Sequence, residues 1–257
     1  MKKRSESIRN KLLPVGAFCL ILLLWWLISV TGLVPSYMLP SPVAVAQAFI
    51  KDFPNLFAHA VVSVQEAIYG LIIGIILAFI IATAMDRFET LEKALMPLLV
   101  VTQTIPTIAI APLLVLWMGF GMAPKITLVV VTTFFPIAVG LLDGYKSVDP
   151  DEINLLRSMN ATRGQIFLHV KIPEALPFFF SGLKVAASYS VVGAVISEWL
   201  GGFEGLGVYM TRVRKAYAFD KMFAVIILII IISLLLMALV NIIRNIAMPW
   251  EKVRNER

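Results

Sequence analysis

Residues 149–173, DPDEINLLRSMNATRGQIFLHVKIP, carry the clearest local structural signals in this chain. Asp149 followed by Pro150 is typical of a helix start, because the carboxylate can cap free backbone N–H groups and proline suits the first helical position. The helix should stop at Asn160, since asparagine tolerates the left-handed conformation better than any residue except glycine. A capping box that begins at Thr162 predicts another short helix. The pattern therefore predicts a compact helix–turn–helix.

The rest of the chain is strongly apolar. Of its 257 residues, 60% are hydrophobic and only 15% are charged, and the mean hydropathy is +0.90. Soluble domains are nearer half apolar and a quarter charged, and a single globular core could not remove this much hydrocarbon from water. The composition therefore indicates a membrane protein and excludes a soluble enzyme and a disordered chain. The single cysteine, Cys19, excludes a secreted disulfide scaffold.

Charged residues mark the ends of the apolar segments, because an ionised group at the centre of a bilayer is costly. A helix needs about 20 apolar residues to cross the hydrocarbon. We therefore expect an all-α membrane protein with a cytoplasmic N-terminal tail at 1–13, a transmembrane domain at 14–246 and a cytoplasmic C-terminal tail at 247–257. Prolines after the first span also predict an interfacial helix at 43–53. The six predicted spans are 14–34, 60–85, 95–118, 124–143, 178–198 and 222–246.

The helix–turn–helix lies in the longest connection between predicted spans, residues 144–177. When the N-terminus is placed inside, most of the 22 Lys and Arg residues fall in cytoplasmic segments, as the positive-inside rule requires. The formal net charge of +6 is therefore interpreted as a topology signal and not as a nucleic-acid footprint. The hairpin is either a docking lever for a soluble partner or an amphipathic pair that lies on lipid headgroups.

This loop resembles the coupling loop of permease subunits of ABC importers, in which Glu-Ala-Ala is followed by three residues, a glycine, nine residues and Ile-x-Leu-Pro. Residues 170–173, Val-Lys-Ile-Pro, match the end of that pattern, and Asn160 stands at the position of the glycine. The triplet position holds Asn-Leu-Leu at 154–156 and so departs from the family. The resemblance extends to LPSP at Leu39–Pro42 and SEWLGGFEGLGVYM at Ser197–Met210. It also includes the prolines of the third predicted span, Pro97, Pro106 and Pro112.

Within the importer family, Ser197–Met210 and AYAFDK at Ala216–Lys221 are similar to the nitrate, sulfonate, taurine and pyrimidine branch. The similarity is greatest to permeases for thiamine pyrimidine precursors such as formylaminopyrimidine, which implies a substrate of that kind. A sulfonate, taurine or nitrate importer is the alternative within the class, and an ATP-independent secondary transporter is the alternative outside it. The capped hairpin and the lack of an inverted repeat favour the ABC class.

The resemblance implies a type I, MetI-like permease fold in a prokaryotic cell membrane. It also implies a second permease copy, two ABC ATPase subunits on the hairpins and an extracytoplasmic solute-binding protein that docks near Phe203–Lys221, although a surface helix without contacts would explain that loop nearly as well. The sequence has no G-x-x-x-x-G-K-[ST] phosphate loop, so ATP hydrolysis requires the partner subunit. We expect no catalytic residue, metal or cofactor. The residues expected to couple to the ATPase are Asn154, Arg157, Asn160, Ala161, Thr162, Arg163, Gln165, Phe167 and Pro173.

Polar residues of the proline-rich third span are candidates for the solute pathway. Prolines free backbone carbonyls that are tolerated in a membrane only against protein or a water-filled cavity. Interhelical packing explains the same residues about equally well. Glu66 and Glu198, near the outer ends of their spans, are either pathway groups or interfacial glutamates bonded to neighbouring backbone. The candidate pathway residues are Thr102, Gln103, Thr104, Thr107 and Glu198. The four neutral residues among them suit an uncharged or weakly charged aromatic solute better than a strongly anionic one.

Overall fold

The structure, a computed structural model, describes residues 2–35 and 37–250, and its regular structure over these ranges is entirely helical. The predicted all-α fold class is thereby confirmed. Residues 251–257, most of the predicted C-terminal tail, lie outside the described part. The chain forms two compact units, Met1–Ala58 with Tyr209–Leu228 and His59–Val208 with Ile229–Arg257.

The α-helices of the described ranges follow one another with short connections. In chain order they are α1 (Lys2–Val30), α2 (Pro42–Lys51), α3 (Phe53–Arg87), α4 (Glu89–Thr104), α5 (Thr107–Met118), α6 (Met122–Lys146), α7 (Pro150–Ser158), α8 (Arg163–Ile166), α9 (Ile172–Gly201), α10 (Leu206–Lys215) and α11 (Phe219–Ala247).

Polar contacts around α2 hold part of the first unit. The helix predicted at 43–53 is present as α2, and the Ser41 hydroxyl caps it by accepting a hydrogen bond from the Ala44 N–H at 3.2 Å. Asp52 ends the helix and accepts a hydrogen bond from the Tyr209 hydroxyl. A buried carboxylate with such a partner fixes the end of α2 within this unit.

The core of the second unit lies between α6 and α9, which approach each other closely at glycines. A Cβ added to Gly182 would lie 2.2 Å from the carbonyl oxygen of Pro136, and one added to Gly144 would lie 2.6 Å from the Cα of Ala175. Small residues permit such close backbone approach in membrane proteins. The buried apolar side chains packed along this contact are Ile137, Ala138, Leu141, Tyr145, Phe180, Leu183, Ala186 and Ala187.

Five helices of the described ranges are long and apolar enough to cross a membrane, and α4 with α5 makes a sixth crossing when the two are counted together. These five helical segments are Leu13–Val30, Phe53–Arg87, Met122–Lys146, Arg163–Leu200 and Phe219–Ala247.

The third predicted span, 95–118, is not one continuous helix. It is divided between α4 and α5, whose axes differ by 101°. Pro106 causes the break, because its ring disfavours a helical conformation at the preceding residue, and Ile105 accordingly has φ −79° and ψ 122°. The connection at Ile105 and Pro106 is exposed, and it lies between the polar pathway candidates Thr104 and Thr107.

Candidate functional site

The first arm of the hairpin at 149–173 has the predicted beginning and end. The Asp149 carboxylate accepts a hydrogen bond from the Asp151 N–H at 2.9 Å, and Pro150 is the first residue of α7. Asn160 has φ +61°, the left-handed conformation that the sequence predicted. Its N–H donates to the Arg157 carbonyl at 3.0 Å, so the turn also satisfies a free carbonyl of the helix end.

The second arm begins with the predicted capping box. The Thr162 N–H donates to Gln165 Oε1 at 2.8 Å, and the Gln165 N–H donates to Thr162 Oγ1 at 3.3 Å. The two residues therefore satisfy each other's backbone donors at the start of α8.

The second arm is not the separate short helix that the sequence predicted. A π-helical turn at Phe167–Lys171 joins α8 directly to α9, and the helix is continuous from Arg163 to Leu200. Proline lacks an N–H and clashes with the carbonyl four residues back in an α-helix. The Ile172 N–H donates instead to the Phe167 carbonyl five residues back, and this wider turn accommodates Pro173 without ending the helix.

Contacts within the second unit hold the second arm. The Phe167 ring packs against the buried ring of Tyr145 on α6, with 5.3 Å between the ring centroids. Lys171 Nζ lies 2.6 and 2.8 Å from the two carboxylate oxygens of Asp86 at the end of α3. The arm therefore cannot move independently of α3 and α6 without losing these contacts.

The predicted coupling residues divide into two groups by exposure. Ala161, Phe167 and Pro173 are half-buried. The exposed ones are Asn154, Arg157, Asn160, Thr162, Arg163 and Gln165.

Three large apolar side chains on the hairpin are exposed, and two of them were missed by the sequence analysis. Leu155 is 61% exposed, Met159 is 70% exposed and Leu168 is 59% exposed. The helical periodicity predicts an apolar stripe at Ile153, Leu156 and Met159; Ile153 and Leu156 are half-buried, whereas Met159 is exposed. Leu155 lies outside that stripe, and an apolar residue on the otherwise polar side of a helix is a signal from which a surface contact could have been predicted. An exposed apolar set on a well-capped hairpin is typical of a protein-binding surface.

The break between α4 and α5 opens into a cavity of about 310 Å³. Gln103, Thr104 and Thr107 line it together, whereas the predicted pathway residues Thr102 and Glu198 are not among its lining residues. No charged side chain lines it within the described part of the chain. The remaining lining residues are Ile105, Pro106, Thr132, Tyr189, Val192, Gly193 and Ile196.

Glu198 and Glu66 belong instead to a buried polar cluster at the ends of α3, α6 and α9. Lys125 Nζ lies 2.6 Å from Glu66 Oε1, and both side chains are almost completely buried. Ser63 Oγ donates to Glu198 Oε1 at 2.5 Å, and the Gly207 N–H donates to Glu198 Oε2 at 2.5 Å. The cluster thus satisfies most of its charged groups inside the chain.

The same cluster fixes the connection between α9 and α10. The Leu206 N–H donates to Ser63 Oγ at 2.8 Å, and the Gly205 N–H donates to His59 Nδ1 at 3.1 Å. Gly205 has φ +120°, and a Cβ there would lie 2.2 Å from the Glu198 carboxyl group. Only glycine fits this position, because both the conformation and the space exclude a side chain.

Sequence analysis missed Lys125, Ser63 and His59 as members of this cluster. The signal was present, since Glu66, Lys125 and Glu198 all lie near the predicted outer ends of their spans and therefore at one membrane level. Charges at one level of a membrane protein are expected to pair with one another.

Comparison with known proteins identifies the class. Residues 70–250 match the family described as binding-protein-dependent transport system inner membrane component. The formylaminopyrimidine transport permease protein of Halalkalibacterium halodurans is 36% identical over 253 residues, which cover 98% of this chain and 99% of that protein. A crystal structure of an amino acid ABC transporter superposes with a TM-score of 0.63 at 15% identity and covers 76% of this chain and 95% of its own. The inward-facing MetNI methionine ABC transporter superposes with a TM-score of 0.60 at 19% identity, and the match covers 75% of this chain and 94% of the transporter chain.

The helical membrane fold, the capped hairpin and these similarities define a transport subunit of an ABC importer. The chain belongs to the binding-protein-dependent transport system inner membrane component family, the permeases of such importers. The sequence-based assignments of the MetI-like fold and of the importer class are confirmed.

Proposed function

We propose that this permease imports a thiamine pyrimidine precursor such as formylaminopyrimidine, driven by a separate ATPase. Two copies of the chain form the pathway, and an extracytoplasmic binding protein delivers the solute. The hairpin and both termini lie in the cytoplasm. The near full-length similarity to a formylaminopyrimidine permease supports this substrate class.

The cavity at the α4–α5 break is the observation that carries the proposal. Its amide and hydroxyl groups, from Gln103, Thr104 and Thr107, can exchange hydrogen bonds with the ring nitrogens and amino groups of a pyrimidine. The Tyr189 ring offers an apolar face to a flat heteroaromatic solute. A sulfonate or nitrate ion would find no cation there and would lose its hydration without compensation.

The exposed apolar set of the hairpin, Leu155, Met159 and Leu168, is the proposed ATPase-docking surface. Among the residues predicted to couple, Asn154, Asn160, Thr162 and Gln165 lie exposed on the same short segment and form the rim of the contact. ATPase closure would then move each hairpin as a rigid body and switch the pathway between inward-facing and outward-facing states.

Reconstitution tests the proposal directly. Vesicles that contain the permease, its ATPase and the binding protein should accumulate labelled formylaminopyrimidine only when ATP is present on the ATPase side. Parallel samples use taurine and nitrate, and a further sample contains the permease alone. Preferential accumulation of taurine or nitrate would overturn the substrate, and accumulation by the permease alone would overturn the ATPase coupling.

A further inference from the structure

A second cavity, of about 500 Å³, lies between the end of α3 and the hairpin. It is distinct from the cavity at the α4–α5 break, and none of its lining residues is shared with it. One wall is apolar and consists of Ile153, Ile166 and Phe167. The cavity is also lined by four basic residues, Arg87, Arg157, Arg163 and Lys171.

The charges of this cavity are unbalanced. Asp86 is the only acidic residue among the described residues that line it, and it is paired through both oxygens with Lys171. Within the described part of the chain, Arg87, Arg157 and Arg163 form no ion pair. Three arginines therefore line one cavity without an ion-paired carboxylate, an arrangement that attracts an anion, although the Arg87 guanidinium also lies 5.5 Å from the centroid of the Phe88 ring.

The cavity also lies at the edge of the membrane. Arg87 is the last residue of one apolar crossing helix, and Arg163 is the first residue of another. Arg87 lies just beyond the predicted span at 60–85, so the cavity that it lines together with Arg163 lies at the level where phospholipid phosphates are found. The guanidinium group matches phosphate oxygens in a two-pronged geometry that lysine cannot reproduce.

We propose that this cavity binds the headgroup of an anionic phospholipid. The arginines hold the phosphate, and the apolar wall of Ile153, Ile166 and Phe167 contacts the glycerol and upper acyl carbons. A free phosphate ion would use the arginines but would gain nothing from that wall. The bound lipid would attach the hairpin to the membrane surface beside α3.

The test uses the purified full-length permease in a neutral detergent and requires neither ATPase nor solute, so its result is independent of the proposed transport function. Thermal stability is measured while short-chain phosphatidylglycerol, phosphatidylcholine or inorganic phosphate is added, and native mass spectrometry counts the lipids retained. Phosphatidylglycerol should raise the melting temperature, whereas phosphatidylcholine and inorganic phosphate should not.

The double variant Arg157→Gln/Arg163→Gln should need about tenfold more phosphatidylglycerol for the same stabilisation and should retain less of it. Arg212→Gln/Arg214→Gln is the matched control, because it removes the same charge from exposed positions on α10 and should behave as the wild type. An equal response of both double variants would overturn the proposal. If inorganic phosphate raised the melting temperature of the wild type as much as phosphatidylglycerol does, the ligand would be a phosphate ion and not a lipid.

Discussion

The ammonium group of Lys125 lies 2.6 Å from a carboxylate oxygen of Glu66, in a region where both side chains are almost completely removed from solvent. Glu198 adds a second buried carboxylate to the same cluster, bonded to Ser63 and to the backbone of Gly207. Removal of one member of a buried ion pair leaves an uncompensated charge, which costs far more than the pair contributes by being intact.

Lys125→Met should therefore destabilise the protein by ~3–5 kcal/mol, because it leaves Glu66 and Glu198 without a cation. Thermal unfolding in detergent measures the effect. Lys93→Met is the control, since Lys93 pairs with Glu89 while both side chains are largely exposed, and it should change stability little. Equal melting temperatures for the two variants would show that the buried pair has no special role.

Ser63→Ala should lower stability by ~1–3 kcal/mol, because it leaves Glu198 Oε1 and the Leu206 N–H without their partner. The same measurement on Ser158→Ala provides the comparison. That serine is exposed and its hydroxyl only returns to the Leu155 carbonyl of its own helix, so its loss should be nearly neutral. A neutral result for Ser63→Ala would mean that the α9–α10 connection does not depend on this hydroxyl.

Asn160→Pro should abolish co-purification of the ATPase while membrane insertion stays normal. Proline fixes φ near −65°, whereas Asn160 has φ +61° and donates its N–H to Arg157. The turn of the hairpin cannot form with this substitution. Asn160→Gly should retain the partner, because glycine adopts the left-handed conformation freely. Retention of the ATPase by the proline variant would contradict the proposed docking role.

Leu155→Asp should weaken ATPase association by about tenfold or more, because it places a charge in the proposed apolar docking surface. The melting temperature should not change, because the side chain is exposed in the isolated permease. Phe167→Asp should weaken association and also lower the melting temperature, since its ring packs on Tyr145. Pull-down and thermal unfolding together separate the two effects. Leu155→Met should behave as the wild type, and a loss of stability in Leu155→Asp would argue against a docking role.

Gln103→Leu should lower the rate of solute uptake by roughly three- to tenfold, the effect of one lost hydrogen bond, while basal ATP hydrolysis by the assembled importer is unchanged. Uptake and hydrolysis are measured on the same vesicles. Thr102→Val is the control, because Thr102 does not line the cavity and its hydroxyl bonds only to the Leu99 carbonyl. Unchanged uptake by Gln103→Leu would remove Gln103 from the pathway.

Local signals in the sequence predicted the caps at Asp149 and Thr162 and the left-handed Asn160, because each depends only on residues within one helical turn. The π-helical turn before Pro173 was not predictable in this way, since proline ordinarily suggests a helix boundary and the neighbouring packing decides otherwise. The pairing of Glu66 with Lys125 also depends on helices that are distant in sequence. Of the cavity at the α4–α5 break, the polar lining from Gln103 to Thr107 was foreseen, whereas Tyr189 required the tertiary structure.

The unbroken helix from Arg163 to Leu200 acts as a single strut about 57 Å long, at the usual rise per residue. The helical backbone has no break between the hairpin and the residue that carries the buried carboxylate, Glu198. A displacement or a twist applied at the hairpin is therefore carried toward Glu198 along continuous helical backbone. A helix that ended at Pro173 would instead have allowed the hairpin and the membrane-spanning part to bend relative to each other.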